Sequence, residues 1–289
     1  MASLKEVKNR ISSVKNTRKI TSAMKMVASS KLHHARQSIE RMRPYETRLK
    51  CIMAAFVGHL DEDIHSPYAE TREVKRVAIV VISSNSGLCG GFNGNVIKQL
   101  RAAIEHHRKA GTEIVRVVPI GRKATEATAK LGFSTQAEAS ALLDHPRYDG
   151  CVEVAEDLMQ MYEAGEVDKV ELIYHHYKSA STQELLHEDF LPVNLSAEHR
   201  DESAQALNYI VEPSAAELLT RLVPKALHLQ LFTALLDSLA SEHAARVIAM
   251  QVATDNADEL LADLTLMYNK TRQQAITAEL LDIVGGSLQ

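Results

Sequence analysis

The chain has 289 residues with a formal charge of −4, 45% hydrophobic and 4% aromatic residues, and no tryptophan. That length suits one or two domains, no run approaches the ~20 apolar residues that cross a bilayer, and the N-terminus lacks the apolar core of a secretory signal. The three cysteines are odd in number and lack metal-ligand spacing, which points to reduced thiols in a reducing compartment.

Charge is uneven along the chain. Residues 1–50 carry thirteen Lys or Arg against Glu6, Glu40 and Glu46, a surplus of ten positive charges. The same stretch has no glycine, and no proline before Pro44, so it reads as helix. Its apolar residues start as one stripe, Leu4, Val7, Ile11 and Val14. They return as Ile20, Met24 and Val27, which at 100° per residue lie nearly opposite. Such a helix is expected to be enclosed on more than one side. Three readings fit it: a nucleic-acid arm, an amphipathic transit peptide, or the antiparallel partner of a second long helix with its cations facing another protein. No recognition motif supports the first, and the helical pattern continues past any cleavage point, so the third is favoured. Residues 1–60 are assigned to this helix, and 44–73 to a polar connection.

Between 74 and 200 the period changes. Residues 77–82 form a continuous β-branched run, as in a strand covered on both faces. A glycine-rich turn over 83–95 precedes a helix over 96–109. A strand over 113–120, short helices over 125–131 and 152–164, and strands over 170–177 and 184–192 follow, the last two as a hairpin about 179–182. This order predicts an α/β domain with a mostly parallel sheet. Residues 193–212 read as a second polar connection.

The turn SSNSGLCGGFNGN follows a strand and opens a helix, the setting of a phosphate loop. It matches neither common glycine fingerprint and no lysine follows the glycines, so Gly87, Gly90 and Gly91 are read as a structural turn needing positive φ rather than a nucleotide site. Cys89 at the helix start reads as an inert thiol. The pairs His33–His34, His106–His107 and His175–His176 point their neighbours apart and read as surface residues, not metal ligands. No catalytic constellation is present, and no cofactor is expected.

The last element dominates the chain. Residues 225–284 contain neither proline nor glycine. Small and apolar residues recur there at alternating steps of four and three, from Leu219 through Leu236, Ala240, His243, Met250, Thr254, Ala257, Leu261 and Leu264 to Ala278. A spacing of 3.5 held so long is the condition for a coiled coil. A helix of roughly 90 Å outreaches a small domain and is expected to stand out from one. The C-terminal coiled-coil helix is assigned to 208–285.

Four blocks carry a family resemblance: SVKNTRKITSAMKMVA (13–28), GLCGGFN (87–93), SEHAARVIAMQVATDNA (241–257) and YNKTRQQAITAEL (268–280). Together they resemble the γ subunit of bacterial F-type rotary ATP synthases over essentially the whole chain. Where that family has an acid and a base before GLCGGFN, this chain has Asn85 and Ser86, which puts any salt bridge there in doubt. The resemblance implies a left-handed antiparallel coil of the two terminal helices with a small α/β domain at its foot. It implies passage through a hexamer of α and β subunits, binding to the ε subunit and the membrane c ring, and a non-catalytic role as the rotor of a proton-transporting complex. Contacts with β are implied for Met24 and Lys25 and for Arg272, Gln273 and Thr277. No nucleic acid, direct nucleotide site or redox insertion is implied. A bacterial complex at the cytoplasmic side of the inner membrane is the expected location. The competing classes are a nucleic-acid binder, marked by salt-dependent DNA affinity, and a nucleotide-binding enzyme, marked by ATP binding to the isolated chain.

Overall fold

The computed structural model describes residues 3–57, 66–134, 137–193 and 215–286. The elements are α1 (Leu4–Val57), β1 (Arg76–Ile82), α2 (Phe92–Lys109), β2 (Glu113–Ile120), α3 (Arg122–Lys130), a 3-10 helix (Ala137–Leu143), α4 (Tyr148–Glu163), β3 (Lys169–Tyr177), β4 (Gln183–Leu191) and α5 (Ala215–Gly286). The chain divides into two compact units, Met1–Ser30 with Arg246–Gln289, and Lys31–Ala245.

The larger unit is built on a four-stranded sheet in the order β2-β1-β3-β4, with β1 parallel to β2 and β3, and β4 antiparallel to β3. Central β1 is flanked on both sides, which is why 77–82 is apolar without alternation. Ala78, Val80, Ile82, Leu172 and Tyr174 face one core with α4, α5 and the end of α1. Val77, Ile79, Val81 and Ile173 face a second core with Val96, Leu100 and Ile104 of α2. The mostly parallel α/β sheet thus agrees with the pattern in the sequence. The 3-10 helix was not anticipated, and α2 and α4 start about a turn earlier than expected.

Two boundaries differ from expectation. The stretch 44–57 is not a connection: α1 passes through Pro44, and Leu49 and Met53 are buried in the core. Tertiary burial outweighs the local cost of an interior proline. Of the remaining expected connections, 66–73 and 193 have no helix or strand, and 58–65 and 194–212 lie outside the described residues. From 227 to 242 every residue of α5 is buried or half-buried, not just a seam. Leu227, Leu231 and Leu235 pack in the sheet core, while Leu236, Ala240 and Ala244 pack with Ile39 of α1. One helix therefore serves two neighbours in this unit.

A buried polar cluster ties α2, β3 and β4 together. Glu171, on the α2 side of β3, is 4% exposed. Its Oε2 accepts from His107 Nε2 at 3.0 Å and His187 Nε2 at 2.7 Å, and its Oε1 lies 3.0 Å from Lys169 Nζ. Burial works against the ion, but hydrogen bonds from His187, His107 and Lys169 outweigh it and hold the carboxyl well below the usual range. Lys169 also reaches Asp189 at 2.8 Å. Replacing Glu171 by Gln removes the charge that these donors converge on. It is expected to lower unfolding stability by about 3 kcal/mol in urea titrations at neutral pH.

Candidate functional site: the two-helix coil and the glycine turn

In the smaller unit α1 and α5 lie antiparallel. Lys25 Nζ donates to Gln251 Oε1, Thr21 Oγ1 and Thr254 Oγ1 share a hydrogen bond of 2.9 Å, and Arg18 Nε lies 2.8 Å from Asp258 Oδ1. The α1 number falls as the α5 number rises. The buried seam is thin: Val7, Thr21 and Ala28 of α1, and Met250, Ala257, Leu261 and Leu264 of α5. Small side chains let the helix axes approach closely, and the two threonine hydroxyls meet across the seam while each also reaches a carbonyl of its own helix, Arg18 O at 3.0 Å and Met250 O at 2.7 Å. Between 255 and 267 only the three seam residues are buried, as the 3.5-residue spacing requires.

The α1 stripe differs from expectation. It does not switch to Ile20 and Val27, which are 59% and 58% exposed. It continues through half-buried Lys25 and buried Thr21, because the 3.5 spacing persists with polar residues standing at seam positions. Among the described residues nothing covers Ile20 and Val27 of the second apolar face, while Met24 is half-buried.

The register fixes where the coil stops. Arg18 is opposite Asp258; fourteen residues back from the first is Leu4, where helix α1 starts, and fourteen on from the second is Arg272. Beyond that level α5 continues with Arg272, Gln273 and Thr277 exposed. Ala275 and Ala278, expected in the seam, are exposed for the same reason. Ile276, Leu280, Leu281 and Ile283 are also exposed. Thr277 Oγ1 donates to Gln273 O at 2.9 Å, which leaves its lone pairs outward. Met24 is half-buried, and Lys25 is held to α5 by Gln251.

The glycine turn is organised by Asn93. Its Oδ1 accepts from Ser84 N at 3.0 Å, and its Nδ2 donates to Ser84 Oγ at 2.8 Å, Ser86 O at 3.2 Å and Cys89 Sγ at 3.2 Å. Of the three glycines only Gly90 has positive φ, at 58°; Gly91 caps α2 at −80°. Leu88 takes the other left-handed position, at 61°. Asn85, where an acid was expected, donates to Ser140 O at 3.1 Å and accepts from Arg122 N at 3.0 Å. A carboxylate could not make the first bond, so the amide fits a neutral bridge here.

Two histidines expected at the surface are buried, His107 and His175. His175 stacks on Phe92 of the turn at 4.4 Å, and its Nδ1 has no hydrogen-bond partner among the described residues. Burial pushes its value down to about 4, so the ring is neutral at physiological pH. Cys89 and Cys151 are buried and Cys51 is half-buried; all three are free, and burial pushes Cys151 up to about 12. Such a thiol is unreactive. Among the described residues no His, Cys, Asp or Glu group is arranged to hold a metal, and no helix is long and apolar enough to cross a membrane.

The ATP synthase family profile matches residues 3–288. The chain is 55% identical to the ATP synthase gamma chain of Bacteroides thetaiotaomicron over 299 residues, and 54% identical to that of Phocaeicola vulgatus over 289, covering all of each chain in both pairs. The chain belongs to the ATP synthase gamma chain family. Its fold is also that of a chain in the OSCP/F1/c-ring structure of Euglena gracilis mitochondrial ATP synthase, with a TM-score of 0.64 at 20% identity, covering 99% of this chain and 93% of that one. A rotor chain of the same enzyme aligns with a TM-score of 0.60 at 19% identity, over 94% and 98%. For a gamma chain family member, the surfaces of interest are those its own fold leaves uncovered: the second face of α1 and the end of α5.

Asn93→Ala leaves the backbone N–H of fully buried Ser84 without its acceptor, and is expected to cost about 2 kcal/mol by denaturant titration. His175 makes stability depend on pH. The unfolded ring takes a proton near its ordinary 6.5 while the folded ring resists until about 4, so stability declines as pH falls across that window. His175→Phe keeps the stack and removes the proton. Unfolding curves at several pH values are expected to show a shallower decline between 6.5 and 4, recovering up to about 3 kcal/mol at the acid end.

Proposed function

We propose that the chain is the central shaft of a rotary, proton-transporting ATP synthase, non-catalytic by itself, coupling rotation of the membrane c ring to ATP synthesis or hydrolysis at β subunits. The observation that carries this reading is the antiparallel coil whose α5 continues past the start of α1, with polar and apolar residues uncovered, in a chain 55% identical to a gamma chain along its whole length. An apolar helix end exposed in one chain calls for a partner surface.

The physical demands of the role match the residues. A shaft transmits torque only if it resists unwinding, and α5 has no glycine or proline from 225 to 284. It must also turn past its neighbours without adhering. Thirteen cations in residues 1–50 give attraction that acts at a range of angles and is weak at each one, since exposed charge pairs contribute little individually. In this reading the α and β subunits surround the coil, and the ε subunit and the c ring bind elsewhere on the chain. Met24 and Lys25 approach a β loop from α1, and Arg272, Gln273 and Thr277 hydrogen-bond one from α5. The assignment of residues 1–60 and 208–285 to the coil and 74–200 to the α/β domain belongs to the same reading. The chain is peripheral, held at the cytoplasmic side of a bacterial inner membrane by its partners. Neither nucleic acid nor a nucleotide is its ligand.

A tagged chain is expected to co-purify with α, β and ε subunits; recovery of the chain alone, or with nucleic acid, would reject the assignment. Arg272→Ala with Gln273→Ala removes polar contacts worth about 1 kcal/mol each, so association with the catalytic hexamer is expected to weaken roughly 30-fold. ATP-driven proton pumping in the reconstituted complex falls with it. Unchanged pumping and synthesis in the double variant would defeat the contact assignment.

A further inference from the structure

One edge of the sheet is β2, which pairs only with β1. Ile82 lies opposite Ile120, and Ile120 O accepts from Ser83 N at 2.8 Å. In a parallel pair, alternate residues turn both main-chain groups to the same neighbour. Arg116, Val118 and Ile120 therefore bond to β1, while Val117 and Pro119 turn their main chains to the open edge. No described residue bonds to that N–H of Val117, or to the carbonyls of Val117 and Pro119. Val117 is nevertheless only 2% exposed. Buried main-chain groups are almost always paired, so water or another chain must answer these.

They open into a groove of about 270 Å³. The side chain of Val117 packs with α2 on the other face of the sheet, so its contribution to the groove is main chain. Val118, Ala139, Leu142 and Val154 give the groove an apolar wall. Its far side is α4, which carries Asp149, Glu153, Glu156, Asp157 and Glu163, all exposed, and no Lys or Arg. Among the described residues only Asp157 is paired with a Lys or Arg, meeting Arg116 at 2.7 Å. His228 stands 3.9 Å from Glu156, and burial pushes that ring's value down, toward the neutral form. Glu153 lines the groove itself. Pro119 has no N–H to offer, and the register with β1 shifts between Val77 and Ala78, so the edge admits a short segment rather than a continuing sheet.

We propose that this edge binds a short, extended, basic segment of another protein by strand addition. One residue of the segment pairs with the N–H and carbonyl of Val117, and an amide two positions along donates to Pro119 O. Side chains alternate across a strand. An apolar side chain therefore fills the groove, and a lysine or arginine two positions away, on the same face, meets Glu153. Main-chain bonds supply the affinity, and complementary charge selects the segment.

Fluorescence polarisation of the full chain with the labelled peptide Thr-Val-Thr-Lys-Thr-Val-Thr tests this. Saturable binding is expected below about 1 mM. Replacing the peptide's lysine by glutamate, or methylating its backbone nitrogens, is expected to weaken binding about 10-fold or more. Val117→Pro removes the outward N–H and leaves the bonds to β1 in place, and Glu153→Lys reverses a charge at an exposed position. Each is expected to weaken binding by a similar factor, and the methylated peptide requires no variant to fold. Absence of saturable binding would overturn the proposal, as would equal binding of the glutamate or methylated peptide. Dimerisation of the chain that Val117→Pro abolishes would overturn it too, because the edge would then pair with itself.

Discussion

The distance of closest approach between α1 and α5 sets the rest of the structure. Thr21, Ala28, Thr254 and Ala257 keep the seam thin, so the coil gains little apolar burial per layer and depends on matching rather than bulk. Matching comes from polar atoms. A slip of either helix would part Thr21 from Thr254 and Arg18 from Asp258, although each threonine hydroxyl keeps a carbonyl of its own helix, at Arg18 O and Met250 O. Register is therefore specified by residues that contribute modestly to stability. The same register decides how much of α5 runs on beyond α1, and hence which residues are left for other chains.

The larger unit solves a different problem. In α5 the seam is only one of two apolar faces between 227 and 242, because the sheet packs on the other. This explains why the helix is leucine-rich there; further on, Ile248, Val252, Leu260, Leu266 and Met267 stand exposed outside the seam. Inside the sheet, the carboxylate of Glu171 collects three donors from β3, β4 and α2, a satisfied ionic cluster rather than a stray charge. The glycine turn works in the same way at smaller scale, with Asn93 holding four atoms of one loop in place.

Much of this was legible in the residues. The uniform run 77–82 marked a doubly covered strand, the change of period marked the α/β unit, and the 3.5-residue spacing marked the coil. What escaped had a common cause. The continuation of the α1 stripe through Thr21 and Lys25 is invisible to a count of apolar residues alone. Residues 44–57 looked like a connection because Pro44 is a local signal, whereas the burial of Leu49 and Met53 is a tertiary one. His107 and His175 looked like surface residues because their neighbours, Glu171 and Phe92, lie far off in the chain. The family resemblance supplied Arg272, Gln273 and Thr277; nothing in their local pattern separates them from an ordinary solvated face.

The coil joins the two ends of the polypeptide: Thr21 and Thr254 are separated by 233 positions in sequence. Ring closure over such a distance is entropically expensive until intervening segments have become compact. During synthesis α1 must wait unpaired, emerging from the ribosome long before Asp258 exists. Its many lysines and arginines then acquire a second value, since a cationic, well-hydrated helix is far less prone to aggregate during that wait than an apolar one. Assembly thus proceeds from the middle outward, and the zipper shuts last.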